Sequence, residues 1–215
     1  MDNTVVFCCV AFGKEYIQQQ ARLRESIRHF YPQANLLFYT DELPPGSRPF
    51  LDSLYGFKPH LAQEARKQGY KRVILLDPAM IMVSPLEGVY DRYSVVACKD
   101  TSVLWNVTSH KCADYFGTTR VEIRNKGWHL VGGSFYYFNL ETDSAVAVLD
   151  RWTEAEKAGV FGSQQEAASE QLQGHRYDET IMALCMYQAG IEPQDPDKIG
   201  YCIETNSVWQ KKHFK

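Results

Sequence analysis

A chain of 215 residues, 45% hydrophobic and 23% charged, has the composition of one globular domain with its own core. A net charge of −3 and a pI near 6.1 argue against a nucleic-acid binder, which needs a basic face to release counterions. No apolar run reaches the length of a membrane span, and VVFCCVAF after Asp2 lacks the basic segment of a secretory leader.

Val5–Val10 is a continuous apolar run, the pattern of a strand buried on both faces. Cys8 and Cys9 within it point to opposite faces. With Cys98, Cys112, Cys185 and Cys202 they form no CxxC pair and no disulfide framework, so buried reduced thiols and a cytoplasmic location are expected. After AFGKEY, the residues Ile17, Leu23, Ile27, Phe30 and Tyr31 fall at helical spacing. YPQAN ends that helix, and Leu36–Thr40 is the next strand, running into Asp41. The loop DELPPGSRPF follows, marked by its prolines and glycine. KPHLAQEARKQGY predicts a helix from near Pro59, where a first-turn proline costs little, to Gly69. RVILL is the third strand and ends on Asp77. The order β-α-β-α-β predicts a parallel sheet with helices on its faces. Ligands bind beyond the carboxyl ends of such strands, which sets Ala11–Gly13, Asp41 and Asp77 along one rim.

Val95–Lys99 reads as a further strand, and residues 100–131 carry no deciding pattern. Gly132–Leu140 is an aromatic strand opened by Gly132 and Gly133, which mark either a close backbone approach to a ligand or a bulge. Trp128 and His129 before them are either a sugar platform with a polar contact or packing residues. Ala145, Val148, Leu149 and Trp152 form one helical stripe. GSQQEAASEQLQG is polar and reads as a loop or flap. In YDETIMALCMYQAG, Asp178 reads as N-cap, Ile181, Leu184 and Cys185 as the inward face, and Gly190 as the stop. The tail WQKKHFK gathers Lys211, Lys212, His213 and Lys215, either as a solvated terminus or as a cover for a diphosphate.

Neither GxxxxGK[ST] nor GxGxxG is present, and there is no GxSxG, HExxH or CxxC. What remains is Asp77 at a strand end, Asp178 and Glu179 at a helix start, the glycine pair and the tail. Asp77 is either a cation or ribose ligand or a carboxylate that satisfies loop N–H groups. Asp178 as a cap would stabilise its helix by about 1 kcal/mol with no chemistry at all, and Glu179 would favour the helix dipole.

Taken together, YGFKPHLAQEARKQGYKRVILLDPAMIMVSPLEGVYD (Tyr55–Asp91) resembles the central block of GT-A glycosyltransferases. There a helix leads into a strand ending in Asp-x-Asp, followed by an apolar stretch, SPL and a short helix. HLVGGSFYYFNL resembles the strand bordering their sugar pocket. HRYDETIM resembles the His-Asp-Glu segment of retaining galactosyl- and N-acetylgalactosaminyltransferases of the blood-group type, and glycogenin-like enzymes share the layout. The resemblance runs from residue 3 to about residue 190. It implies one GT-A, Rossmann-like α/β domain over 1–215, with a mostly parallel central sheet flanked by helices. Residues 1–99 would bind the nucleotide and residues 100–215 the sugar and acceptor. It also implies a UDP-linked sugar donor, a glycan or other hydroxyl acceptor, and retention of configuration. Val10, Ala11, Phe12 and Gly13 would hold the base, and Asp41 and Asp77 the ribose or metal side. Lys58, Ala79, Lys211 and Lys212 would belong to the donor site, Gly132 and Gly133 would meet the transferred sugar, and Asp178 would bind its hydroxyls. Glu179 would be the carboxylate beside the anomeric carbon. Trp128, His129 and the flap at 162–174 would face the acceptor.

One position departs from this pattern: the second Asp of Asp-x-Asp, usually the metal ligand, is Ala79. Asp77 with His213 is a thin site for Mn²⁺ or Mg²⁺, which take several oxygen ligands. Three readings follow: a metal-independent enzyme with basic groups on the diphosphate, a metal held by Asp77, diphosphate and water, or a nucleotide-sugar-binding module without catalysis. A nucleotidyltransferase would expect a basic loop after the first strand, where AFGKEY offers only Lys14.

Overall fold

The computed structural model describes residues 4–86, 92–162, 168–170, 172, 177–195 and 203–205. Strand β1 (Val5–Ala11) is buried along its whole length. It pairs in parallel with β2 (Asn35–Thr40) on one side and β3 (Arg72–Leu76) on the other. Past β3 the chain forms β4 (Met80–Met82), then β5 (Val95–Val103) and β6 (His129–Asn139). β6 runs antiparallel to both β3 and β5, giving the order β2-β1-β3-β6-β5. Every strand of this sheet except β6 therefore points the same way, and the sheet is mostly parallel. β4 pairs with β7 (Ile203–Thr205) in a separate two-stranded ribbon.

The two faces of β1 feed two cores, as its period of two requires. Val5, Phe7 and Cys9 meet Leu23 and Ile27 of α1 (Gly13–Phe30). Val6, Cys8 and Val10 meet the opposite layer, which includes Leu61, Ala62 and Ala65 of α2 (Phe57–Lys67). Coverage on both faces is why the strand reads as an unbroken apolar run. Residues 104–131 supply a 3-10 turn (Leu104–Asn106), α3 (His110–Tyr115) and α4 (Arg120–Asn125), capped by Ser109 and by the Thr119–Glu122 capping box. α5 (Asp143–Lys157) sets Trp152 against Tyr136 and Phe138 of β6, and α6 (Tyr177–Gln188) buries Ile181 and Leu184 beside them. A fully buried Leu or Phe in such a layer contributes about 1.5–3 kcal/mol. The free cysteines Cys8, Cys9, Cys112 and Cys185 are buried here as small apolar groups, and burial pushes the Cys9 thiol up to about 12. No described helix is long and apolar enough to cross a membrane.

α2 begins at Phe57 and holds Pro59 in its first turn, as expected. Two expectations shift. β6 begins at His129, so the glycine pair falls inside the strand, opposite the stretch of β5 where the register slips between Ala97 and Lys99. α6 already includes Tyr177, so Asp178 is not an N-cap; its carboxylate turns inward instead. Most of the polar stretch at 162–174 lies outside the described residues.

Candidate active site

β3 leaves the sheet at Asp77, whose N–H donates to Ser134 O of β6 at 3.0 Å. The same rim receives Lys58 from the first turn of α2 and both Asp178 and Glu179 from the first turn of α6. The buried Lys58 ammonium lies 2.8 Å from Gly133 O, 2.8 Å from Asp178 Oδ2 and 3.2 Å from Asp77 Oδ1. An ammonium has three N–H donors, so these oxygens saturate it. The rings of Tyr55 and Tyr136 lie 5.3 and 5.6 Å from the same nitrogen. Burial alone would lower the Lys58 pKa, but Asp178, then Asp77 and Glu179, hold it well above its ordinary value. Lys58 is therefore a fixed positive charge.

Asp178 Oδ2 also accepts from the Tyr136 hydroxyl at 3.1 Å. Burial raises the Asp178 carboxyl above its ordinary range, while Lys58 pulls the other way. Burial likewise pushes the Tyr136 phenol far up, and Asp178, Glu179 and Asp77 add to it. Glu179 is the half-buried member of the pair, and its Oε1 accepts the Gly133 N–H at 3.0 Å. A Cβ on Gly133 would stand 2.9 Å from that oxygen and 3.1 Å from Asp178 Oδ2, whereas one on Gly132 would meet only Cys98 O at 3.9 Å. The close approach at the glycine pair is thus between Gly133 and the chain's own carboxylates. A small cleft lined by Val10, Phe57, Lys58, Leu76, Asp77 and Gly133 adjoins them.

Other expected site residues make their contacts outside the ion cluster, although Val10 lines the adjoining cleft. Val10 and Ala11 are buried in the sheet, and the Phe12 ring packs on Phe50 and Phe57 at 5.8 and 6.1 Å. Asp41 adopts a left-handed φ of 52° and accepts the Gly13 N–H at 2.8 Å, so it ties down the β1–α1 turn. Ala79 presents a methyl group, and its carbonyl accepts from Arg22 at 3.3 Å. Trp128 stacks on Tyr187 at 4.6 Å with 2° between the planes, and the Tyr187 hydroxyl accepts the His129 N–H at 3.0 Å. Tyr187 is eight residues beyond Glu179 on α6, about 12 Å along its axis. Lys211, Lys212 and His213 lie outside the described residues.

Sequence reasoning missed Tyr136, Tyr55 and a buried ion cluster. Tyr55 holds a φ of 59°, a rare conformation for an aromatic residue, with its ring 6.2 Å from that of Tyr177. Glu156 is fully buried and receives Arg48 Nε and His60 Nε2, each at 2.8 Å. Burial alone would raise its carboxyl, but His60 and Arg48 bring it down to about 2. This cluster fastens the loop before α2 to α5. A signal existed: Glu156 follows Trp152 by four residues, so it continues the buried stripe of α5.

The described residues do not fit a resident dication. Asp77 has one oxygen on Lys58, and Ala79 has no side-chain ligand atom, its carbonyl being engaged by Arg22. Among the described residues no group of three His, Cys, Asp or Glu side chains could hold an ion.

No family model matches this chain, and no curated protein matches it in sequence. Solved structures with a similar chain path include a glycosyltransferase involved in glycosylation of the major capsid of PBCV-1, at 10% identity and a TM-score of 0.49, covering 89% of this chain and 82% of that one. The bifunctional glycosyltransferase WbbM matches at 13% identity and 0.49, over 92% of this chain and 40% of its own. The galactosyltransferase LgtC, in complex with donor and acceptor sugar analogues, matches at 12% identity and 0.41, over 83% and 70%.

Proposed function

We propose that the chain is a glycosyltransferase that moves a sugar from a UDP-linked donor to a hydroxyl of a glycan acceptor with retention of configuration, in the cytoplasm. The observation that carries this is the convergence of Asp77, Asp178 and Glu179 around one buried ammonium at the carboxyl rim of the sheet. Breaking the anomeric C–O bond leaves positive charge on the sugar and negative charge on the diphosphate. Carboxylates outnumber ammonium here, so the local field favours the sugar cation. Glu179, with one oxygen fixed by Gly133 N–H, stabilises that cation or attacks it. Asp178 Oδ2 holds Lys58 and Tyr136, which leaves Oδ1 as acceptor for a sugar hydroxyl. Lys58, saturated by its three oxygens, is a positioning residue rather than a donor-binding one. Val10–Gly13 and Asp41 are assigned to the nucleoside, and Lys211 and Lys212 to the leaving diphosphate. In this reading the reaction uses neither Mn²⁺ nor Mg²⁺, since Asp77 with the proposed partner His213 is short of side-chain ligands once Ala79 stands in the motif.

The test is calorimetric titration of UDP, in chelator and in excess Mn²⁺, paired with UDP release from UDP-sugars without acceptor. Glu179→Gln should keep UDP binding and abolish the slow hydrolysis. No UDP binding under either condition would sink the UDP-sugar reading. Ala79 and the engagement of Glu179 by Gly133 favour one second reading, a nucleotide-sugar-binding module without catalysis. Its signature is a wild-type chain that binds UDP and hydrolyses no donor.

A further inference from the structure

Past Asp77 the sheet continues among the described residues on β5 and β6, with an isolated bridge from Cys98 to Gln194. β3 ends its pairing at Leu76–Phe135, while β5 and β6 remain paired as far as Val103–His129. At the tip of this ribbon Leu104 N donates to Trp128 O at 2.9 Å, which ties the 3-10 turn that holds Trp105 to Trp128, the residue before β6. Both rings are half-buried and both carry cations. Arg124 and Arg120 lie 5.1 and 6.0 Å from the Trp105 ring, and Lys126 lies 4.4 Å from the Trp128 ring, whose other face is covered by Tyr187. None of these cations has an ion-pair partner among the described residues. Glu122, the carboxylate of α4, is engaged by the hydroxyls of Thr118 and Thr119 and by Thr119 N–H. In a chain of net charge −3, this is a local reversal of sign built on aromatic platforms.

We infer that this ledge binds the distal, anionic end of an oligosaccharide acceptor, with its carboxylates on Arg120, Arg124 and Lys126. The inference rests on the transferase reading for its purpose, though not for its chemistry. Tyr187 ties the ledge to α6 at about 12 Å from Glu179, so a short anionic chain held there reaches the reactive carboxylate with its other end. Arg124 and Lys126 are exposed side chains resting on half-buried rings, a weak hold, and they turn readily to a carboxylate, with which they make stronger charge-assisted bonds; Arg120 is also fixed by its Nε, which donates to Trp105 O at 3.1 Å. An anionic membrane is a poorer fit, because both tryptophans are half-buried and covered, and the large exposed apolar side chain on α4 is Val121 alone.

The test uses the full chain and tryptophan fluorescence, to which Trp105 and Trp128 respond. Trigalacturonate and its methyl ester are titrated separately, and vesicles of phosphatidylcholine with phosphatidylserine form a third arm. Trigalacturonate is expected to bind, with the ester at least tenfold weaker. Arg124→Ala with Lys126→Ala, both exposed positions, should weaken the acid at least tenfold while leaving UDP binding unchanged. No response to trigalacturonate, equal binding of acid and ester, or wild-type affinity in the double variant overturns the inference. So does a blue shift on vesicles without a saccharide response, which would make the ledge a membrane contact. Loss of the transferase reading looks different: trigalacturonate still binds, while UDP does not and no donor is hydrolysed.

Discussion

Gly133→Ala is the sharpest perturbation of the site. The added methyl carbon would stand 2.9 Å from Glu179 Oε1 and 3.0 Å from Glu179 Cγ, closer than carbon and oxygen tolerate in contact. Either the carboxylate swings away or β6 moves, and overpacking of this kind costs about 1–3 kcal/mol. For a chain of this length each kcal/mol lowers Tm by about 2–4 °C. The catalytic effect should be larger than the thermal one suggests, because displacing a reactive group by about 1 Å costs about 10²-fold in rate. Gly132→Ala is the internal control for the fold, since its methyl would meet only Cys98 O at 3.9 Å; its Tm should stay near wild type. The assay is UDP release without acceptor beside thermal unfolding of the three proteins. A Gly133→Ala chain with wild-type Tm and wild-type kcat would refute the reasoning, for it would mean that Glu179 does not need its place against Gly133.

Two further outcomes are expected. Lys58→Met leaves the buried Asp178 without its ammonium, and breaking a buried pair from one side costs about 3–5 kcal/mol; urea unfolding should show it, and Lys58→Met with Asp178→Asn should recover part of the loss. Glu156, held down to about 2 in the fold, has a folded pKa below its unfolded value near 4.3. The unfolded chain then binds more protons in this window, so the stability Glu156 contributes is present above about pH 4.3 and is lost as pH falls toward 2, about 2–3 kcal/mol in all. Urea midpoints between pH 5 and 2 should fall along that slope, and Glu156→Gln should flatten it.

Much of the fold was legible because local signals agreed with one another. Continuous apolar strands, helical stripes and punctuating glycines set β1 to β3 and the helices between them, and Asp77 fell on the rim that the topology requires. The segment from 100 to 131 was not legible, since its helices are six residues each and owe their ends to Ser109 and Thr119 rather than to any long stripe. The site was half legible. Asp77, Asp178 and Glu179 could be picked out as carboxylates at element ends, but Lys58 and Tyr136 join them only across 120 and 42 residues of chain. No periodicity carries such contacts. Gly133 shows the limit most clearly, for a glycine in a strand signals that something comes close and says nothing of what does.

The balance of charge at the rim leads to one last test. Asp77, Asp178 and Glu179 face a single ammonium, so a diphosphate brought beside them meets a negative field unless positive charge comes with it. Ala79 gives no side-chain ligand, and Asp77 shares an oxygen with Lys58, so the proposed reading leaves Asp77 as a repulsive neighbour of the diphosphate. At about 7 Å and an effective dielectric constant of about 40, one charge pair is worth about 1 kcal/mol. Asp77→Asn should therefore tighten UDP several-fold in chelator, partly by freeing the Lys58 charge, and Mn²⁺ should add little. Calorimetry on the two proteins decides it. If UDP binds wild type only with Mn²⁺ and Asp77→Asn loses that binding, the carboxylate is a metal ligand after all. The diphosphate and residues beyond the described part of the chain would then have to complete the coordination that Ala79 lacks.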